Sequence, residues 1–133
     1  MTAVFVDTSA VLALLNPIDR DHVAARSALE RFAASGSSLI TTSYALVETY
    51  ALLGRRMGIA AIKGFRSDLE PLLEIEWIGR DLHEAGLDLL QKRARARLSL
   101  VDAVSFVCMR RRKLDIAFAL DEDFRKEGFH LVP

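Results

Sequence analysis

Five acidic residues lie at positions in this sequence that an ordinary solvated surface does not explain. Asp7 follows directly on the apolar run AVFV, Asp121 follows directly on IAFAL, and Asp123 comes two residues later. Glu48 lies among the apolar residues of YALVETY, and Asp102 lies among those of LVDAVSF. Carboxylates gathered in one cleft repel one another unless a cation neutralises them. Mg²⁺ or Mn²⁺ suits such an all-oxygen set, because hard divalent ions prefer carboxylate ligands.

Each acid also has a purely structural explanation. Asp7 could be a helix cap, and Glu48 could be an exposed helix residue. Asp102 could be the far half of a capping box with Ser99. Asp121 could be a turn former. Whether these acids have separate structural roles or share one site therefore depends on where the helices and strands place them.

Strand patterns alternate with helix patterns along the whole chain. The expected strands are residues 3–6, 38–41, 73–78, 115–120 and 129–132. We expect Thr8 or Ser9 to cap a first helix through residue 15, and Thr42 or Ser43 to begin a third helix that stops near Gly54. A long helix follows from Asp81 to about residue 96. This alternation predicts one α/β domain over residues 1–133, with a central parallel sheet flanked by helices.

The topology places the acids at one edge of that sheet. Asp7 and Asp121 each come directly after a strand, and so lie at its carboxyl end. Helices that follow parallel strands begin at the same edge, which brings Glu48 there, whereas Asp102 follows a helix and has a less direct route. Ligands of open parallel sheets bind outside the carboxyl ends of the strands. The sequence therefore predicts a metal site made by Asp7, Glu48, Asp102 and Asp121.

The composition narrows the class of protein without naming a partner. Of 133 residues, 51% are hydrophobic and 27% are charged, with Lys and Arg equal in number to Asp and Glu at 18 each, which is typical of a soluble globular domain. The single cysteine, Cys108, excludes an internal disulfide framework, and His22, His83 and His130 lack metal-ligand spacing. The longest apolar runs fall short of the roughly 20 residues that span a bilayer. We expect a cytoplasmic protein without a membrane segment.

Positive charge is concentrated around Asp102. Eight Lys and Arg residues lie between residues 91 and 113, against the one acid, which makes this segment strongly basic in a neutral chain. Arg93, Arg95 and Arg97 are candidate phosphate contacts, because a nucleic-acid backbone needs cations near an acidic site. The alternative is a solvated helix face that happens to be basic. We expect Trp77 in the sheet core rather than as a stacking platform.

The four acidic segments together resemble the motifs of PIN-domain nucleases, and the length and spacing resemble the VapC-type ribonuclease toxins. The segments are VFVDTSA, SYALVET, RLSLVDAVSF and AFALDEDFRKEGF. This resemblance implies a parallel sheet flanked by helices, one or two Mg²⁺ or Mn²⁺ ions, and hydrolysis of single-stranded RNA or exposed RNA loops. It also implies a homodimer and a small antitoxin that blocks the cleft. The apolar residues between 43 and 70 are compatible with a partner groove or with ordinary core.

The resemblance also implies roles for individual residues. Asp7 and Asp102 correspond to direct metal ligands, and Glu48 and Asp121 complete the set. Asp123 is at most an accessory. Relatives often carry Ser or Thr two residues before the last acid, where this chain has an alanine, and that leaves a hydroxyl role to Thr8 or Ser9.

Other functions remain open on the sequence alone. One is a PIN-like RNA-processing nuclease outside a toxin–antitoxin pair. Another is an aspartate-based phosphatase, although such sites usually need a second acid where Ser9 stands. A phosphoacceptor receiver domain would need an aspartate after a central strand, and the strand SLIT ends without one. The last is a non-catalytic interaction module, against which the complete set of acids argues.

Overall fold

Five short strands form one sheet in the computed structural model, which describes residues 2–133. They are β1 (Ala3–Val6), β2 (Ser38–Thr42), β3 (Leu73–Glu76), β4 (Ile116–Phe118) and β5 (His130–Val132). All neighbours pair in parallel, in the order β3-β2-β1-β4-β5. The chain therefore turns in opposite directions on the two sides of β1, which occupies the centre.

In the described part of the chain, residues 2–133, seven helices connect the strands. They are α1 (Thr8–Leu15), α2 (His22–Ala34), α3 (Ser43–Met57), α4 (Ile59–Gly64), α5 (Arg80–Arg93), α6 (Leu100–Arg112) and α7 (Asp123–Lys126). A π-helical turn (Phe65–Leu69) and a 3₁₀ turn (Glu70–Leu72) continue α4 toward β3. The predicted α/β class, with a parallel sheet between helices, is confirmed.

The central strand is buried on both faces, as the uninterrupted apolar run AVFV predicts. Val4 and Val6 belong to a core cluster on one face, which includes Phe118. Phe5, pointing the other way, belongs to a second cluster with Phe106 of α6. Because side chains alternate along a strand, one short segment supports two hydrophobic layers.

A glycine sets the close contact between α5 and α6. A Cβ added to Gly86 of α5 would lie 2.4 Å from Cγ2 of Val104 and 3.3 Å from the Val104 backbone. Only a residue without a side chain fits this approach. This close packing against α5 fixes the position of α6, which carries Asp102.

The structure corrects several predicted boundaries. The third helix does not stop near Gly54 but runs on to Met57, and ends at Gly58, where φ is +85°. Gly54 instead packs against α4, since a Cβ there would lie 3.1 Å from Cδ1 of Ile62. Helix α5 begins at Arg80, one residue before the predicted cap, and ends at Arg93, before a left-handed residue.

Trp77 was expected in the sheet core, and that prediction is wrong. Its side chain is 70% exposed, because β3 ends at Glu76 and is an edge strand. No helix within residues 2–133 combines the length and apolar character needed to cross a membrane.

Candidate metal centre

The acidic cleft lies where the two halves of the sheet diverge. β1 and β4 are neighbours, and the backbone N–H of Asp7 donates to the carbonyl of Phe118 at 3.0 Å. From β1 the chain crosses to β2 on one side, while β4 leads to β5 on the other. Loops at such a divergence splay apart and leave a crevice at the carboxyl ends of the strands.

Asp7 is the N-cap of α1, so the expectation that Thr8 or Ser9 performs this task is wrong. Its Oδ2 accepts from the backbone N–H of Ser9 at 3.2 Å and from the Ser9 hydroxyl at 2.6 Å. The strand ends in extended geometry directly at Asp7, which is the conformation that an N-cap needs. The carboxylate of Asp7 therefore both caps α1 and lines the cleft.

Burial raises the pKa of Asp7 to about 7, and the charges of Asp102 and Asp121 add to this rise against the opposing hydrogen bonds from Ser9. Only 4% of Asp7 is exposed. For this carboxylate, burial and the neighbouring acids thus outweigh the stabilisation of the ionised form by Ser9.

Asp102 lies in the first turn of α6 and forms the capping box with Ser99 that the sequence indicated. The Ser99 hydroxyl accepts from the backbone N–H of Asp102 at 3.1 Å, and Oδ2 of Asp102 accepts from the backbone N–H of Ser99 at 3.2 Å. Burial raises the pKa of Asp102 to about 6, with further increases from Asp121 and Glu48. Asp102 therefore both completes the capping box and lines the cleft.

Asp121, in the loop after β4, and Asp123, the first residue of α7, approach Asp102. Carboxylate oxygens of these three residues lie within 4.8 Å of one another. The backbone N–H of Asp123 donates to Oδ1 of Asp121 at 2.9 Å, and burial raises the pKa of Asp121. Asp123, expected at most as an accessory, therefore lies close to both Asp102 and Asp121.

Glu48 lies on the second turn of α3 and lines the same cleft. That cleft has a volume of about 350 Å³. It brings together all four predicted site residues, Asp7, Glu48, Asp102 and Asp121, and is also lined by Thr8, Ser9, Leu12, Leu52, Arg56, Arg97 and Ser99.

The two hydroxyls near Asp7 have different partners. Thr8 is buried, and its hydroxyl donates to the carbonyl of Ala45 at 3.1 Å and lies 3.0 Å from the Thr49 hydroxyl, which joins α1 to α3. The Ser9 hydroxyl donates to Asp7 and accepts from the backbone N–H of Leu120 at 2.9 Å. Ser9 therefore ties the end of β1 to the chain after β4.

Two of the three predicted phosphate contacts are bound within the protein. Arg93 and Arg95 donate to Glu127, with the shortest distances 2.9 Å and 3.0 Å, and Arg110 joins them at 2.7 Å. The Glu127 side chain is only 1% exposed. Hydrogen bonds led by Arg93 lower the pKa of Glu127 to about 2. Arg95 also approaches Asp123 at 3.4 Å.

The other arginines between residues 91 and 113 divide in the same way. Arg111 pairs with Asp81, and Arg112 pairs with both Glu74 and Glu76 of β3. Arg97, the third predicted contact, lines the cleft. Arg56 also lines it and was missed. Its spacing of eight residues from Glu48, with Leu52 halfway between, could have indicated one helix face.

The donor set fits a hard divalent cation. Its members are carboxylates and hydroxyls, and burial, followed by repulsion from the neighbouring acids, raises the pKa of several of the carboxylates. A cation in the cleft would favour the ionised forms, and all-oxygen donors select Mg²⁺ or Mn²⁺ over softer metals. Asp102, Asp121 and Asp123 are close enough to share one ion.

Comparisons with known proteins identify the family of this chain. The profile of the PIN domain matches residues 4–129. The chain is 35% identical to the 23S rRNA-specific endonuclease VapC20 of Mycobacterium tuberculosis. The alignment spans 127 residues and covers 95% of each chain. The crystal structure of that VapC20, described as a Sarcin-Ricin loop cleaving toxin, superposes with a TM-score of 0.83 over 98% of this chain and 99% of the other.

More distant structures share the fold alone. FitAcB from Neisseria gonorrhoeae has a TM-score of 0.71 at 9% identity, covering 98% of this chain and 96% of its own. VapBC2 from Rickettsia felis, bound to a DNA fragment from its promoter, has a TM-score of 0.72 at 12% identity, covering 98% and 97%. With its five-stranded parallel sheet, its acidic cleft and its full-length similarity to VapC20, this chain belongs to the PIN-domain family and is a VapC-type protein.

Proposed function

We propose that this protein is a metal-dependent endoribonuclease and the toxin component of a toxin–antitoxin pair. The observation that carries the proposal is the convergence of acids at the cleft: Asp7, Glu48, Asp102 and Asp121 line it, and carboxylate oxygens of Asp102, Asp121 and Asp123 lie within 4.8 Å of one another. Full-length similarity to an endonuclease supports the same reaction class.

Asp7, Glu48, Asp102 and Asp121 are proposed to hold Mg²⁺ or Mn²⁺, with Asp123 beside them. When bound, such an ion lowers the pKa of a coordinated water and offsets charge on the phosphate oxygens. The chain itself orients the carboxylates. Ser9 holds Asp7 by two hydrogen bonds, and Ser99 holds Asp102 through the capping box.

No side-chain nucleophile is required for this reaction. The hydroxyl of Ser9 is committed to Asp7 and to the Leu120 backbone, and burial raises the pKa of the Cys108 thiol to about 11. Hydrolysis by a water molecule held and aligned in the cleft is the mechanism that these groups suit.

The substrate class is inferred from the relative and from the shape of the cleft. VapC20 is named as specific for 23S rRNA, and its structure is described as cleaving the Sarcin-Ricin loop. An open cleft at a sheet edge admits an unpaired loop, whose backbone can reach the acids. We propose an exposed RNA loop, ribosomal RNA included, as the substrate.

The partners follow from membership of the VapC type. We propose a cognate antitoxin that covers the cleft, a homodimer in solution, and a cytoplasmic location.

The function is tested by incubating purified protein with a ribosomal RNA stem-loop in Mg²⁺ or Mn²⁺. Asp7→Asn and Asp102→Asn should each slow cleavage about 10³-fold, because several kcal/mol of charge stabilisation are lost with a metal ligand. EDTA should abolish cleavage, and added Mn²⁺ should restore it.

Asp88→Asn is the matched control. Asp88 is an exposed acid of α5 that does not line the cleft, so this variant should cleave like the native protein. Unchanged cleavage in Asp102→Asn, or undiminished cleavage in EDTA, would show that the activity lies elsewhere or belongs to a contaminant.

A further inference from the structure

Two cationic side chains face the acidic cleft from separate elements. Arg56 lies in the last turn of α3, and Arg97 lies in the loop between α5 and α6, two residues before Ser99. Glu48, Leu52 and Arg56 follow one another at four-residue intervals and all line the cleft. This interval keeps them on one side of α3, with Arg56 about 12 Å along the helix from Glu48.

Both arginines are available to a ligand. Within residues 2–133, neither takes part in a salt bridge, whereas the neighbouring Arg93, Arg95 and Arg110 all bind the buried Glu127. Both are also exposed. A phosphate that meets them therefore displaces no ion pair of the protein.

The backbone at Arg97 is unusual for the residue it carries. The N–H of Leu98 donates to the carbonyl of Arg95 at 3.3 Å, which places Arg97 third in a β-turn, and its φ is +74°. That position of a turn favours glycine or asparagine. Within residues 2–133, the other two non-glycine residues with positive φ, Ala94 and Lys113, end helices, where this conformation is common. Arg97 has no such explanation, and strain of this kind is often kept at functional positions.

The charge balance of the cleft gives these arginines a task. Four carboxylates line it, and one divalent ion would offset two of their charges. The two arginines offset the remainder, so a polyanion can enter without net repulsion. Guanidinium groups suit phosphates because their planar donors match two oxygens at once.

We propose that Arg56 and Arg97 contact backbone phosphates of the RNA on either side of the cleaved bond and position it over the acids. This inference rests on the proposed nuclease function and adds two substrate-positioning residues to it. Arg56 and Arg97 hold the strand, while the acids and their ion carry the hydrolysis.

The test compares Arg56→Ala and Arg97→Gly with Arg55→Ala. Arg55 is the exposed neighbour of Arg56 in the same helix turn and does not line the cleft. Glycine at residue 97 removes the cation while suiting the positive φ, so Arg97→Gly should unfold in urea no earlier than the native protein. Arg97→Lys keeps a charge and serves as the conservative variant.

Binding is measured by fluorescence anisotropy with a labelled RNA stem-loop, in the Asp102→Asn background so that the RNA stays intact. Arg56→Ala and Arg97→Gly should each weaken binding about tenfold, the effect of one lost charge-assisted hydrogen bond. Each should also reduce the slope of log K against log salt by about 0.7, the value for one single-strand phosphate contact.

In proteins with all acids intact, KM should rise with little change in kcat. Arg97→Lys should recover part of the affinity, and Arg55→Ala should change neither affinity nor slope.

The outcomes separate this inference from the proposed function. If the native protein cleaves RNA but both variants bind it like Arg55→Ala, the arginine pair is wrong and the nuclease stands. An effect confined to one of the two arginines would overturn the pairing. If nothing is cleaved but both variants lose affinity and salt slope, the phosphate site stands and the nuclease is wrong. If the native protein neither binds nor cleaves RNA, both are wrong.

Discussion

At the scale of single residues, the cleft is built from side chains that stabilise the fold and line the site at once. Asp7 caps α1 and Asp102 completes the capping box of α6. A helix cap must be an extended residue that is followed directly by a helix. A residue of this kind at the end of a strand also presents its carboxylate at the edge of the sheet. The structural and chemical explanations of these acids are therefore complementary.

Ser9 is the residue on which the state of Asp7 depends. Burial raises the pKa of Asp7, and the two hydrogen bonds from Ser9 lower it, with a net value of about 7. Ser9→Ala removes the hydroxyl bond and should raise that pKa further, leaving Asp7 more protonated. Isothermal titration with Mn²⁺ should show about tenfold weaker binding at pH 6 and a smaller loss at pH 8. Ser9→Thr keeps a hydroxyl and should bind metal nearly as the native protein does, whereas equal losses at both pH values would contradict a role through protonation.

At the scale of elements, packing between helices determines where the acids stand. α6 carries Asp102, and its position depends on the contact between Gly86 of α5 and Val104. The buried Glu127 joins the end of α5, the following loop, and α6 through three arginines. Arg95 extends this network to Asp123. The loop that carries Arg97 is thus anchored next to the cleft.

The same substitution should have opposite effects at two glycines. Gly86→Ala places a methyl group 2.4 Å from Val104 and should lower the free energy of unfolding by about 1–3 kcal/mol. Gly64 has helical backbone angles and open space around it, so Gly64→Ala should raise the free energy of unfolding by about 0.5–1 kcal/mol. Urea unfolding measures both, and a stabilised Gly86→Ala protein would mean that α5 and α6 do not pack this closely.

At the scale of the whole molecule, the cleft makes stability depend on pH and on metal. The pKa of Asp7 is about 7 in the folded protein, against an ordinary value of 3.8 for an aspartate, and that of Asp102 rises to about 6. Between about pH 4 and 7 the folded protein therefore holds protons that the unfolded chain has released. Stability decreases as pH rises through this window.

We expect the metal-free protein to have a Tm several degrees lower at pH 8 than at pH 5. Mn²⁺ should raise the Tm more at pH 8, where the acids are ionised and bind it. The lowered pKa of Glu127 acts in the opposite direction, but only in more acidic solution, below about pH 4.5. Calorimetry in EDTA and in Mn²⁺ measures these shifts, and the double variant Asp7→Asn, Asp102→Asn should flatten the pH dependence. A Tm in EDTA that rose from pH 5 to pH 8 in the native protein but not in the double variant would contradict the raised pKa values.

The sequence by itself determined the elements and the edge of the sheet where the acids lie. Strand ends, caps and parallel topology are local or follow simple chirality rules, so Asp7, Glu48, Asp102 and Asp121 could be assigned to one cleft before any coordinates. Tertiary structure decided which charges are free. Arg93 and Arg97 are similar in sequence, yet one pairs with a carboxylate 34 residues away and the other faces the cleft. Ion pairs depend on which distant residues the fold brings within about 3 Å, and no local pattern encodes that distance.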